Sequence, residues 1–69
     1  MKIIINNKTK DMTDATCLIK VYQFLSDTEM LEDLKIFTGF MPIFFVDYVC
    51  ICRRLKDGYS FTFKEQEQL

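Results

Sequence analysis

Apolar and polar positions alternate most clearly over residues 49–63, Val-Cys-Ile-Cys-Arg-Arg-Leu-Lys-Asp-Gly-Tyr-Ser-Phe-Thr-Phe. That period of two predicts two half-buried strands, and the Asp57-Gly58 pair that interrupts it marks a hairpin turn. A two-residue loop at Asp57-Gly58 would set Arg54 opposite Phe61 and Cys52 opposite Phe63, scattering apolar side chains over both faces. A three-residue loop over Lys56-Asp57-Gly58, with Gly58 left-handed in a bulge, sets Leu55 opposite Tyr59, Arg53 opposite Phe61, Ile51 opposite Phe63 and Val49 opposite Glu65. It gathers Val49, Ile51, Leu55, Tyr59, Phe61 and Phe63 on one face and Cys50, Cys52, Arg54, Ser60, Thr62 and Lys64 on the other. A one-residue slip inverts a strand, so the second register is expected because it alone yields a single buried face. Arg53 is then the polar exception, its stem lying across the aromatics while its guanidinium reaches outward.

Upstream, Lys2-Ile3-Ile4-Ile5-Asn6-Asn7 reads as a short strand covered on both sides or central in a small sheet. Residues 8–12 form a polar connection without glycine, which excludes a phosphate-cradling loop there. Thr13 or Asp14 caps a helix running to about Ser26, with Ala15, Leu18, Ile19, Val21, Tyr22 and Leu25 as its buried stripe and the Tyr22 hydroxyl at the rim. Ser26-Asp27-Thr28-Glu29 has the form of a capping box and predicts a second helix from about Thr28 to Phe37, ending before Gly39, with Met30, Leu31, Leu34 and Phe37 on one side. Glu29, Glu32 and Asp33, with Asp27, form the one acidic cluster, which offsets the helix dipole and is otherwise solvated.

Residues 40–48, Phe-Met-Pro-Ile-Phe-Phe-Val-Asp-Tyr, are either a helical turn opened by Pro42 or an extended segment leading into the hairpin. In the extended case Ile43 and Phe45 share a face with Val49, and Asp47 demands a turn or bulge. A small fold has difficulty covering so many large apolar side chains, so Phe40, Met41, Phe44, Phe45 and Tyr48 are candidate partner-binding residues, with Glu29, Glu32 and Asp33 as a charged rim.

The chain of 69 residues predicts one small domain, with residues 64–69 a frayed tail. An apolar share of 49% with ten aromatics argues against a disordered chain. A net charge of −1 without a run of five or six like charges argues against strong nonspecific nucleic-acid binding. The opening lacks a signal-peptide pattern, and the most apolar stretch, residues 40–52, is too short and too broken by Pro42 and Asp47 to cross a bilayer. The expectation is a soluble cytoplasmic protein.

Catalytic chemistry is thinly provided. The chain has no histidine, so the commonest general base is missing, and its hydroxyls lack a base. Cys17, Cys50 and Cys52 are an odd set that predicts neither a disulfide framework nor a closed zinc site. Neither an enzyme, a metal nor a cofactor is expected. A nucleic-acid module is the alternative: Tyr59, Phe61 and Phe63 at period two resemble a base-stacking platform, with Arg53, Arg54, Lys56 and Lys64 near them. The same aromatics are what a sheet needs to pack a helix layer, and that use is expected to prevail.

The opening Met1-Lys2-Ile3-Ile4-Ile5-Asn6-Asn7, the acid-capped helix carrying Val21-Tyr22, the Cys50-x-Cys52 strand and the Lys56-Asp57-Gly58 turn together resemble small proteins encoded by phages and prophages of low-GC Gram-positive bacteria. The resemblance covers the first 25 residues and the hairpin; the segment between Thr28 and Tyr48 departs from it. It implies a protein that binds and blocks a host or defence protein, as anti-CRISPR inhibitors do.

The expected architecture is α+β, in β-α-(α)-β-β order. Helices pack on one face of a three-stranded sheet, and the two-helix connection leaves the first two strands antiparallel. The expected function is a non-enzymatic protein-binding module using the segment around Phe44, or a homodimer that closes that segment on itself.

Overall fold

The computed structural model describes residues 1–37 and 39–66. Six elements follow in order: β1 (Lys2–Asn7), α1 (Asp14–Ser26), α2 (Thr28–Ile36), β2 (Phe40–Phe44), β3 (Tyr48–Arg54) and β4 (Gly58–Glu65). The α+β class is as expected, but the sheet has four strands rather than three, in the order β1-β4-β3-β2. The additional strand is β2: the segment after Pro42 is extended, and a tight turn at Val46-Asp47 folds it back on β3, closed by the Phe45 N–H donating to the Tyr48 carbonyl at 2.9 Å. The strands β2, β3 and β4 form an antiparallel meander, whereas β1 runs parallel to β4. The first and second expected strands, β1 and β3, do run in opposite directions, with β4 between them.

Both helices start where local chemistry directs. The Thr13 hydroxyl accepts from the Thr16 N–H and caps α1. The cap of α2 is Asp27, whose carboxylate accepts from the Glu29 and Met30 N–H groups. Ser26, the cap in the expected box, instead ends α1, and its hydroxyl donates to the Tyr22 carbonyl. The far end of α2 is tied to the sheet by the Arg54 guanidinium, which donates to the Lys35 carbonyl at 2.5 Å, a cation placed at a helix C-terminus.

The core lies between the helices and one face of the sheet. It consists of Cys17, Val21 and Phe24 from α1, Leu34 from α2, Cys50 and Cys52 from β3, and Phe61 and Phe63 from β4, with Ile3, Ile5, Met41, Ile43 and Phe45 packed around it. Full burial of Phe61 and Phe63 contributes roughly 2–3 kcal/mol each from removal of apolar area from water.

Several expectations are corrected, the first of them about this core. The hairpin register is one residue away from the expected one: Arg54 pairs with Tyr59, Cys52 with Phe61, Cys50 with Phe63 and Tyr48 with Glu65. Phe61 and Phe63 still face inward, but β3 is inverted, so Cys50 and Cys52 are buried while Val49 and Ile51 lie on the opposite face with Ser60, Thr62 and Lys64. The cause is the second hairpin. β3 must serve both neighbours, and β2 presents Met41 and Ile43 inward against Cys52 and Cys50.

The turn closes on Lys56-Asp57, with the Leu55 N–H donating to the Gly58 carbonyl at 2.8 Å, and no described glycine has positive φ, so the left-handed Gly58 bulge does not form. Gly58 is instead the point where β1 approaches: a Cβ there would stand 1.7 Å from the Lys2 carbonyl oxygen.

The second correction concerns α1. Its buried side is Cys17, Val21 and Phe24, at the spacing of a helical stripe, and Ala15, Leu18, Ile19 and Tyr22 are exposed. Tyr22, expected in the core, is 62% exposed. The third concerns the tail. Lys64 and Glu65 belong to β4 and the Gln66 N–H donates to the Asp47 carbonyl, while residues 67–69 lie outside the described residues. Among the described residues no helix is long and apolar enough to cross a membrane.

Candidate functional site

Alternation along each strand sends every second side chain to the sheet face that no helix covers. Three rows of neighbours cross that face: Phe40, Arg53, Ser60 and Ile4; Pro42, Ile51, Thr62 and Asn6; Phe44, Val49 and Lys64. Phe40 is 53% exposed and Phe44 69%, and Val46 at the tip of the β2–β3 turn is 79% exposed. Four residues apart on one strand, the two phenyl rings are rooted about 13 Å from each other.

Arg53 sits directly across from Phe40, and Lys64 lies two strands from Phe44 beyond Val49. Lys2 occupies the same face at the start of β1, and Lys8 follows its end. A shallow depression of about 310 Å³ lies between Asn6, Lys8, Ile51, Arg53, Thr62 and Lys64. No carboxylate occupies any position of the three rows, although the whole chain carries a net charge of −1. The face is therefore apolar along β2 and cationic across β3 and β4.

The edge of this face has its own character. The Phe45–Tyr48 pair is hydrogen-bonded, so by antiparallel alternation Ile43–Cys50 and Met41–Cys52 are bonded pairs and Pro42 opposite Ile51 is not. The Pro42 nitrogen thus faces the free edge of β2, where it removes the central donor that an added strand would need.

The structure divides the expected partner-binding residues between two faces. Phe40 and Phe44 are on the open side, whereas Met41, Phe45 and Tyr48 turn inward and pack against the core. Phe45 stacks on Tyr48 with centroids 4.5 Å apart and on Phe24 at 6.0 Å. Glu29, Glu32 and Asp33 are exposed on α2, in the helix layer and so across the sheet from Phe40 and Phe44. The charges beside the exposed rings are Arg53 and Lys64 instead.

Of the residues of the nucleic-acid alternative, Phe61 and Phe63 are fully buried and cannot stack on bases. Arg54 is engaged with Lys35, and Lys56 is exposed in the turn away from the rows. Val49, Ile51 and Pro42 belong to the open face but were not candidates from sequence. Their placement depends on the shared register of two hairpins, and the only local signal for the second was the Val46-Asp47 pair, which carries no glycine.

The three cysteines are free thiols enclosed in the core. Burial pushes the Cys50 thiol up to about 12, helped by the neighbouring Cys52 and Cys17, and burial alone pushes Cys52 up to about 11. Burial also raises Cys17, with Asp14 adding to the effect. All three are therefore protonated and poorly nucleophilic near neutrality. Tyr48 is raised by burial and by the adjacent Cys50 and Cys17.

No family model, curated protein or solved structure matches the chain.

Proposed function

We propose that the protein is a small non-enzymatic module that binds another protein through the open face of its sheet. Phe40 and Phe44 are the anchors and Arg53 and Lys64 are the charged rim. The observation that carries this reading is the pairing of exposed aromatic rings with cations on a face that bears no carboxylate in its strand rows. Exposed rings flanked by arginine are the usual make-up of an interface hot spot, each docked phenyl contributing roughly 2 kcal/mol. The partner is a protein surface with an apolar pocket and acidic surroundings. A phage-type inhibitor of a host or defence protein falls within this reading.

Closing the face on a second copy in a two-fold dimer is disfavoured, because it opposes two faces that both carry Arg53 and Lys64 and have no carboxylate in their strand rows to offset them. Edge-to-edge pairing through β2 is disfavoured by Pro42.

The test is capture from nuclease-treated bacterial lysate at moderate salt, with Phe44→Asp and Arg53→Glu as matched controls. A defined protein retained by the parent and lost by both variants, with unchanged circular dichroism and melting, supports the reading. Equal capture by parent and variants overturns it. Single-stranded nucleic acid is the second reading, favoured by the same mixture of rings and cations. It requires binding to a labelled oligonucleotide that weakens steeply with salt and vanishes in Phe44→Asp.

A further inference from the structure

A second concavity lies at the other side of the β2–β3 turn. The loop after β1, the first half of α1, that turn and the end of β4 enclose a cleft of about 580 Å³, within the range of roughly 300–1,000 Å³ usual for small-molecule sites. One wall is aromatic and braced, since Phe45 and Tyr48 stack at 4.5 Å with planes 15° apart and Phe45 leans on Phe24 behind it. Met12 adds an apolar side chain to the lining.

The rim is acidic. Asp11, Asp47 and Glu65 carry exposed carboxylates against the single ammonium of half-buried Lys20. Glu65 is held in place, its Oε1 accepting from the Lys10 N–H at 2.6 Å. Two further lining groups, the Tyr48 hydroxyl and the Gln66 Oε1, are enclosed without a hydrogen-bond partner among the described residues. They are a donor and an acceptor of the kind that native structures almost always satisfy.

We propose that this cleft binds a small organic amine with a planar aromatic body. The ring lies against Phe45 and Tyr48, and the ammonium is held at the mouth by the Asp47 and Glu65 carboxylates. Charge decides the class of ligand. An anion meets three carboxylates at the rim, and a neutral aromatic uses only the apolar contact with Phe45, Tyr48 and Met12, whereas an ammonium on an aromatic body gains both that contact and the carboxylates. The site is separate from the open sheet face and does not depend on what that face binds.

Tyramine is the probe, titrated into isotope-labelled protein and followed by amide chemical shifts, with 4-ethylphenol as the neutral analogue that lacks the ammonium and 4-hydroxyphenylacetate as an anionic analogue. Saturating shifts are expected at Thr16, Asp47, Tyr48 and Gln66, with a dissociation constant below ~10 mM. Binding of 4-ethylphenol should be about 3–10-fold weaker and that of the anion weaker still. Asp47 is exposed in a turn, so Asp47→Asn should leave the fold intact and weaken tyramine by a similar factor; Asp11→Asn is the second rim variant. Equal binding of all three probes, shifts confined to Phe40, Phe44 and Arg53, or no saturation with tyramine would each overturn the assignment. Phe44→Asp should leave the tyramine titration unchanged, so failure of the open-face reading and failure of this one are distinguishable.

Discussion

Two thiols at the centre of the core should make this protein fragile in alkali. Cys50 and Cys52 have an ordinary value of 9.0, raised by burial to about 12 and about 11 in the folded state. An acid whose folded value is raised keeps its proton in the folded chain and loses it first in the unfolded one. Stability is therefore complete below pH 9 and falls as pH rises from there toward 11 to 12. At about pH 10 an unfolded thiol gains roughly 1.4 kcal/mol by ionising while the buried one gains almost nothing, so the pair removes about 3 kcal/mol. That is a large part of the ~5 kcal/mol expected of a domain this small. Urea unfolding followed by circular dichroism, under reductant at pH 7 and about pH 10, should show the midpoint falling by some 2–3 M for an m-value near 1 kcal/mol/M. The double variant Cys50→Ala with Cys52→Ala should be less stable at neutral pH, because it leaves small cavities, yet lose less between the two pH values, keeping only the share due to Cys17 and Tyr48, which burial also raises. An unchanged midpoint in the parent would refute the burial argument. An equal drop in the double variant would assign the alkaline loss to other groups.

Two further substitutions probe the frame. Gly58→Ala places a methyl against the Lys2 carbonyl, so β1 must shift; a loss of about 2–3 kcal/mol in urea unfolding and faster hydrogen exchange along Lys2–Asn7 are expected. Asp27→Ala removes the acceptor for the Glu29 and Met30 N–H groups and should cost about 1 kcal/mol, with reduced helical ellipticity.

Features written in short-range chemistry were legible from the sequence. Both helices and their ends follow from caps within a few residues, and Phe61 and Phe63 were placed inward from alternation alone. Features that depend on distant partners were not. The faces of β3 are set jointly by β2 and β4, and reading one hairpin without the other inverted the strand. α1 offers two apolar stripes, and it is packing on the sheet core, not a local signal, that buries the one with Cys17, Val21 and Phe24. Gly58 was legible as a special backbone position, but its reason lies at Lys2, far away in sequence. The same limits applied to the candidate site: the segment containing Phe40 and Phe44 stood out by composition, while the identity of its charged neighbours required the register.

The parallel pairing of β1 with β4 has a mechanical consequence. β1 is entered from its Lys2 end and β4 is left from its Glu65 end, and the two strands lie side by side from Lys2 opposite Gly58 to Asn7 opposite Phe63. A pull on the two ends of the chain therefore slides these strands past each other along their length. It loads all the hydrogen bonds of the ladder together instead of opening them one at a time from an end. Under tension the β1–β4 seam is a shear clamp, and the force needed to open this small domain should be higher than its modest thermodynamic stability alone suggests.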